Sequence, residues 1–175
     1  MPVFTPPTSL EPQAMLDALN EAGVTHIVTV PDTHQRTLLE LLARQETPSL
    51  ITVCTEDEAM GVNLGLFIGG ARPLLLIQNT GFYASMNSLR GLCVEAAVPL
   101  CMLIGEFGRE PGLAPADHKR KLVSLLEPTL RAWDVPFYRL ESPADLQHIP
   151  VALERSHTER GPVALLVAAP TAELS

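Results

Sequence analysis

Apolar residues recur along this chain with two alternating periods. From Pro12 to Glu21 (PQAMLDALNE) they stand at Met15, Leu16 and Leu19, the spacing of one helix face, and Gly23 stops the pattern. HIVTV at His26–Val30 is a short β-branched run of strand type. Pro31-Asp32-Thr33 turns the chain, with Thr33 the expected cap of a helix through TLLELLARQ. LITVC (Leu50–Cys54) is a second strand, Glu56–Gly69 a helix closed by Gly69-Gly70, and LLLI (Leu74–Ile77) a third strand. Three further helix–strand pairs follow. A helix near Ser85–Ala97 leads to LCMLIG (Leu100–Gly105), one from about Lys119 to Trp133 leads to VPFYRL, and one from about Pro143 to His157 leads to PVALLVA (Pro162–Ala168).

Strands that are continuously apolar, rather than alternating, belong to a parallel sheet covered on both faces. The expected fold is therefore α/β: a doubly wound, mainly six-stranded parallel sheet with helices on both sides. The Pro-rich residues 1–11 read as an extended arm, and 12–175 as a single domain. A hydrophobic share of 46% against 18% charged residues excludes disorder as a description of the whole chain. The net charge of −8, with no basic stripe, repels phosphate backbones, so no nucleic-acid partner is expected.

Cys54, Cys93 and Cys101 lack CxxC spacing and lie in apolar surroundings, so they read as reduced core residues. MPVFTPPTSLEPQ has neither the basic nor the apolar stretch of a leader, and no run reaches the ~18–20 apolar residues a membrane span needs. A cytoplasmic location with no membrane partner is expected.

In open parallel sheets the chemistry gathers at the carboxyl ends of the strands. TEDE, after the second strand, puts Glu56, Asp57 and Glu58 at the start of a helix. Carboxylates there complement the helix dipole, and Thr55 with Glu58 makes a capping box. The following AMGVNLGLFIGG is apolar on every side, however, so the helix reads as buried, and a buried carboxylate at its mouth needs a specific partner. QNTG sets Asn79 and Thr80 off the third strand, with Gly81 permitting close backbone approach or simply forming a turn.

PDTHQ offers Thr33 and His34. GEFGREPG carries Arg109 on a loop, where it either holds an anionic substrate or is solvated. His118 precedes Lys119, Arg120 and Lys121, the one dense basic patch. GxGxxG between strand and helix, GxxxxGK[ST] and GxSxG are all missing from the sequence, so dinucleotide, P-loop and serine-hydrolase chemistry are not indicated.

Taken in order, VPDTHQ, TEDEAMGVNLGLFIGGARPLLLIQNTGFYASMNSL and VPLCMLIGEFGREPG resemble the pyrimidine-binding half of thiamine diphosphate-dependent 2-oxo acid decarboxylases of the sulfopyruvate and phosphonopyruvate type. The resemblance runs from about residue 12 to residue 168. It implies that Glu56, nine residues before Gly65, is the glutamate that hydrogen-bonds the cofactor's aminopyrimidine and favours its imino tautomer. It further implies cofactor contacts from Asn79, Thr80, Gly81 and Asn87, and substrate contacts from Thr33, His34, Asn79, Arg109 and His118. Here F-G-R stands in place of W-R-G, and Pro-Ala-Asp-His in place of E-P-x-H.

The GDG motif that binds diphosphate and Mg²⁺ in such enzymes is not in this sequence. The resemblance therefore implies a beta subunit carrying GDG and a downstream Asn, which would bind the Mg²⁺, in an assembly of α2β2 or larger. The implied reaction is decarboxylation of a small anionic 2-oxo acid. Acetolactate-type carboligation, or a non-catalytic binding module in which Glu56 only caps its helix, are the alternatives.

Overall fold

The strands are β1 (His26–Thr29), β2 (Ser49–Thr52), β3 (Pro73–Gln78), β4 (Leu100–Gly105), β5 (Phe137–Leu140) and β6 (Pro162–Val167). They form one sheet in the order β2-β1-β3-β4-β6-β5, with every pairing parallel. The doubly wound sheet expected from the apolar runs is the one observed. This computed structural model describes residues 5–173; residues 1–4 of the expected arm and positions 174–175 lie outside them.

Successive residues of a strand face opposite ways, and in β3, β4 and β6 both directions are buried. Leu74, Leu76, Leu103 and Leu165 pack with α1 (Pro12–Glu21), α2 (Arg36–Leu42) and α8 (His148–Glu159). Leu75, Ile77, Met102, Ile104 and Leu166 pack on the other face. That face is covered by α3 (Glu56–Ile68), α4 (Asn79–Ala84), a π-helical turn at Leu89–Glu95 and α7 (Leu126–Ala132). β2 and β5, at the sheet edges, are only partly buried.

Several helices are shorter than their patterns suggest. The expected helix over 119–133 is split into α6 (Lys121–Ser124) and α7, because Pro128 has no N–H to continue the ladder and tolerates only a first helical turn. Pro150 does the same farther on. A 3-10 turn at Pro143–Gln147 comes first, and α8 restarts with the proline as its third residue. Between α4 and α5 (Met86–Ser88), the Ser85 hydroxyl donates back to the Gly81 carbonyl at 2.7 Å and bends the run.

Two expectations about surfaces are corrected. In α3 only Ala59, Met60 and Asn63 are buried, and Ile68 is 74% exposed, so the helix is apolar all round without being enclosed by this chain. Cys54 is exposed, while Cys93 and Cys101 are buried, with burial pushing both thiols up to about 12. The described part of the arm is held to the body: Pro7 and Leu10 are buried, and the Thr8 N–H donates to the Glu141 carbonyl at 2.8 Å.

Candidate active site

The chain lays β2 on one side of β1 and then returns to lay β3 on the other. The winding thus reverses between β1 and β3, the point in such sheets where a crevice opens beyond the carboxyl ends. Three carboxylates of TEDE reach this point, and each has a different fate. Glu58 serves the helix start: its Oε2 accepts from the Cys54 N–H at 2.9 Å, while Thr55 Oγ1 accepts from the Glu58 N–H at 3.3 Å. Asp57 accepts from the Ser88 hydroxyl at 2.7 Å, tying α3 to α5.

Glu56 is left free of both duties and lies on Gly81. A Cβ added at residue 81 would come within 2.3 Å of Glu56 Oε1 and 2.4 Å of its Cγ. Only glycine leaves room for this side chain, so Gly81 fixes where the carboxylate sits. Glu56 is half-buried rather than enclosed, correcting the expectation of a fully buried carboxylate. TEDE admits both a helix-start and an active-site reading; Glu58 takes the helix-start role, and Glu56 takes no part in it.

The third-strand segment is no simple turn: Asn79 begins α4. The Asn79 side chain is buried and fully occupied. Its Nδ2 donates to the carbonyls of Phe107 at 3.1 Å and Leu122 at 3.3 Å, and its Oδ1 accepts from the Thr80 N–H at 2.9 Å. It therefore positions the mouth and offers no free amide to a ligand. Thr80 is exposed, and Thr33, also exposed, accepts from Gln78 Nε2 at 3.2 Å across the β1/β3 junction. Asn87 is exposed on α5 and accepts from Arg90 Nη2 at 3.0 Å. Glu56, Thr80, Gly81 and Thr33 are thus brought together at the switch point.

His34, Arg109 and His118 are not presented to that opening. Thr33 caps no helix: α2 begins after Gln35 without a side-chain cap, and Asp32 organises the turn instead. It accepts from the His34 N–H at 2.7 Å and from Gln35 Nε2 at 3.0 Å. His34 faces inward against Gly105. Its Nε2 meets the Val167 carbonyl at 3.0 Å, and its own carbonyl accepts from the Thr171 N–H at 3.1 Å. Burial holds its pKa below the ordinary histidine value, with Asp32 pulling the other way.

Arg109 is the clearest correction. Its side chain is 1% exposed and lies between two carboxylates, donating Nη1 to Glu106 and Nη2 to Glu141. A guanidinium so engaged, with only its buried Nε unpartnered among the described residues, has little left for a substrate. Glu106 is completely buried; burial pushes its carboxyl up, and Arg109 opposes the shift. His118 is buried rather than part of a solvated helix start, and its Nε2 finds no partner among the described residues. Asp32, Gln35, Glu106 and Glu141 were not singled out from the sequence as structural partners.

No protein-family model matches the chain. The sulfopyruvate decarboxylase subunit alpha of Methanococcus maripaludis is 27% identical over 162 residues, covering 89% of this chain and 92% of that protein. The subunit alpha of Methanothermobacter thermautotrophicus is 28% identical over 133 residues, covering 76% and 79%. The chain is similar to these sulfopyruvate decarboxylase alpha subunits over most of its length and most of theirs.

A phosphonopyruvate decarboxylase of Streptomyces hygroscopicus is 31% identical over 98 residues, covering 56% of this chain and 24% of that longer one. Among solved structures, a 2-oxoglutarate:ferredoxin oxidoreductase from Magnetococcus marinus superposes with a TM-score of 0.69 at 14% identity. The match covers 97% of this chain and 32% of that one, and it shows the shared fold. The described residues include no helix long and apolar enough to cross a membrane.

Proposed function

We propose that this chain is the alpha subunit of a two-chain, thiamine diphosphate-dependent decarboxylase. Its substrate would be a small 2-oxo acid bearing a second anionic group, sulfopyruvate- or phosphonopyruvate-like, acted on by one domain spanning 12–175. The observation that carries the reading is the Glu56 carboxylate, spared from helix capping and seated on a glycine at the β1/β3 switch point. Relatives named sulfopyruvate decarboxylase subunit alpha, matched over most of their length, support the substrate class.

The residues present fit an aminopyrimidine: the carboxylate of half-buried Glu56 can accept a ring N–H and hold its proton, with exposed Thr80 next to Gly81 in the chain. Thiamine diphosphate, when bound, supplies the electron sink for loss of carbon dioxide. Glu56 assists as a general acid–base group at its carboxylate oxygens. Gly81 keeps that carboxylate in register, and Asn79 holds the surrounding backbone.

A beta chain carrying GDG and a downstream Asn would hold the diphosphate and Mg²⁺, in an α2β2 or larger assembly. The surface of α3 supports such a partner. Gly61 and Gly65 are exposed with open space where a Cβ would stand, and Ile68 lies farther along the same helix. A chain packed there would lie against the helix that presents Glu56.

The test is Glu56→Gln, assayed for carbon dioxide release with the beta chain present. Turnover is expected to fall by roughly 10²-fold or more, the scale of general acid–base assistance. Turnover unchanged from the wild type would overturn the assignment, and product analysis would separate decarboxylation from carboligation.

A further inference from the structure

With Arg109 committed to Glu106 and Glu141, the substrate's second anion needs another cation. We propose that Arg120 supplies it, a specificity residue whose assignment rests on the decarboxylase reading above. Arg120 is exposed and enters none of the ion pairs formed among the described residues.

Its direction is set by Gly108, which has φ +83: a Cβ there would lie 2.9 Å from Arg120 Nη1 and 3.3 Å from its Cδ. The guanidinium therefore lies across bare backbone instead of trailing into solvent. The strap bearing it is pinned at both ends by one residue, since Asn79 Nδ2 donates to the carbonyls of Phe107 and Leu122. Tyr83 of α4 adds a hydroxyl bond to the Leu122 carbonyl at 3.4 Å.

Two residues beyond Asn79 is Gly81, on which Glu56 rests. The short segment 79–81 thus links the carboxylate to the strap that carries the free guanidinium. Lys119 and Lys121, both exposed, add positive charge on either side. A planar guanidinium matches the oxygens of a sulfonate or phosphonate bidentately, which the methyl group of pyruvate cannot exploit. Selection for a doubly anionic 2-oxo acid then comes from a residue on the outer side of the strap, while the buried arginine holds the loop's base.

The experiment compares wild type, Arg120→Gln and Arg120→Lys in the assembled alpha–beta complex, with sulfopyruvate and pyruvate as substrates. The kcat/KM ratio of sulfopyruvate over pyruvate is expected to fall about 10- to 100-fold in Arg120→Gln, the scale of losing a charge-assisted pair, with partial recovery in Arg120→Lys. A complex that turns over sulfopyruvate with an unchanged ratio overturns the role of Arg120 and leaves the decarboxylase reading standing.

If the wild-type complex turns over no 2-oxo acid, calorimetric titration with sulfoacetate reads the same site. Affinity lowered at least about tenfold by Arg120→Gln would then support the anion site while the decarboxylase reading fails. Equal affinities, or no binding to the wild type, would overturn it.

Discussion

The two ends of the sheet's carboxyl edge are finished in opposite ways. At the β1/β3 switch, polar groups stand half or fully exposed: Glu56 on Gly81, Thr80, and Thr33 bonded only to Gln78. At the β4–β6–β5 end, Glu106, Arg109 and Glu141 pair with one another behind the loop, the first two almost without exposure, leaving only the buried Glu106 Oε1 and Arg109 Nε unpartnered among the described residues. Charge alone would have marked the second cluster as the site. Pairing points the other way, because a group whose charged partners lie inside the chain has little left for a ligand, whereas a carboxylate spared by its neighbours does.

The largest effect that could break this contrast is at Arg109. Removing one partner of a buried ion pair leaves an uncompensated charge, so Arg109→Met is expected to cost about 3–5 kcal/mol of stability at neutral pH. Glu106, already pushed up by burial, takes its proton more readily in the folded variant than in the unfolded chain, so the loss should shrink on acidification. Urea unfolding at two pH values reads this. A variant with wild-type stability but a raised KM would move Arg109 back to the substrate.

Next comes Gly81→Ala, whose Cβ would clash with Glu56 Oε1 and Cγ. Turnover of the complex should fall about 10²-fold, like that of Glu56→Gln, because the same carboxylate is displaced. An active Gly81→Ala enzyme would mean that Glu56 does not work from where it rests.

Much of this contrast was visible in residue order, and the reasons it was not all visible are physical. The α1 and β4 boundaries, Pro12–Glu21 and Leu100–Gly105, coincide with their patterns because each element buries its own periodic residues locally. Glu56 stood out because a charged helix start preceded an uncharged apolar helix. The fate of Arg109 was hidden because Glu141 lies 32 residues away, on the far side of a strand order that periodicity does not encode. The burial of His34 is hidden for the same reason, its cover at Val167 lying 133 residues on. The exposed stripe of α3 was read as buried because apolar composition does not say whether the covering surface belongs to the same chain.

Smaller effects separate neighbours on one loop. His34 is covered and held below the ordinary histidine pKa, so the unfolded chain binds its proton first as pH falls. Stability from the neutral, buried ring is present above the unfolded value, about 6.5, and is lost as pH drops through the folded value. Against an His34→Asn variant, the wild type should lose up to about 1.4 kcal/mol more per pH unit between about 6.5 and the folded value, with no further loss below it. Taking the difference cancels contributions from groups that do not interact with the ring. Asp32 and Arg109, the charges nearest the ring, act in opposite directions and should leave the sign unchanged.

Thr33, one residue earlier, faces out and holds one bond to Gln78 at 3.2 Å. Thr33→Val should therefore move stability by less than about 0.5 kcal/mol, the usual range for an exposed site. If the switch point is the substrate side, the same change should raise KM by about 2- to 10-fold, the scale of one neutral hydrogen bond. Thermal unfolding and initial-rate kinetics on the same preparation read both numbers. A Thr33→Val complex that unfolds early with an unaltered KM would place the two adjacent residues in the same structural class. The division of the carboxyl edge into an open half and a closed half would then fail at its own boundary.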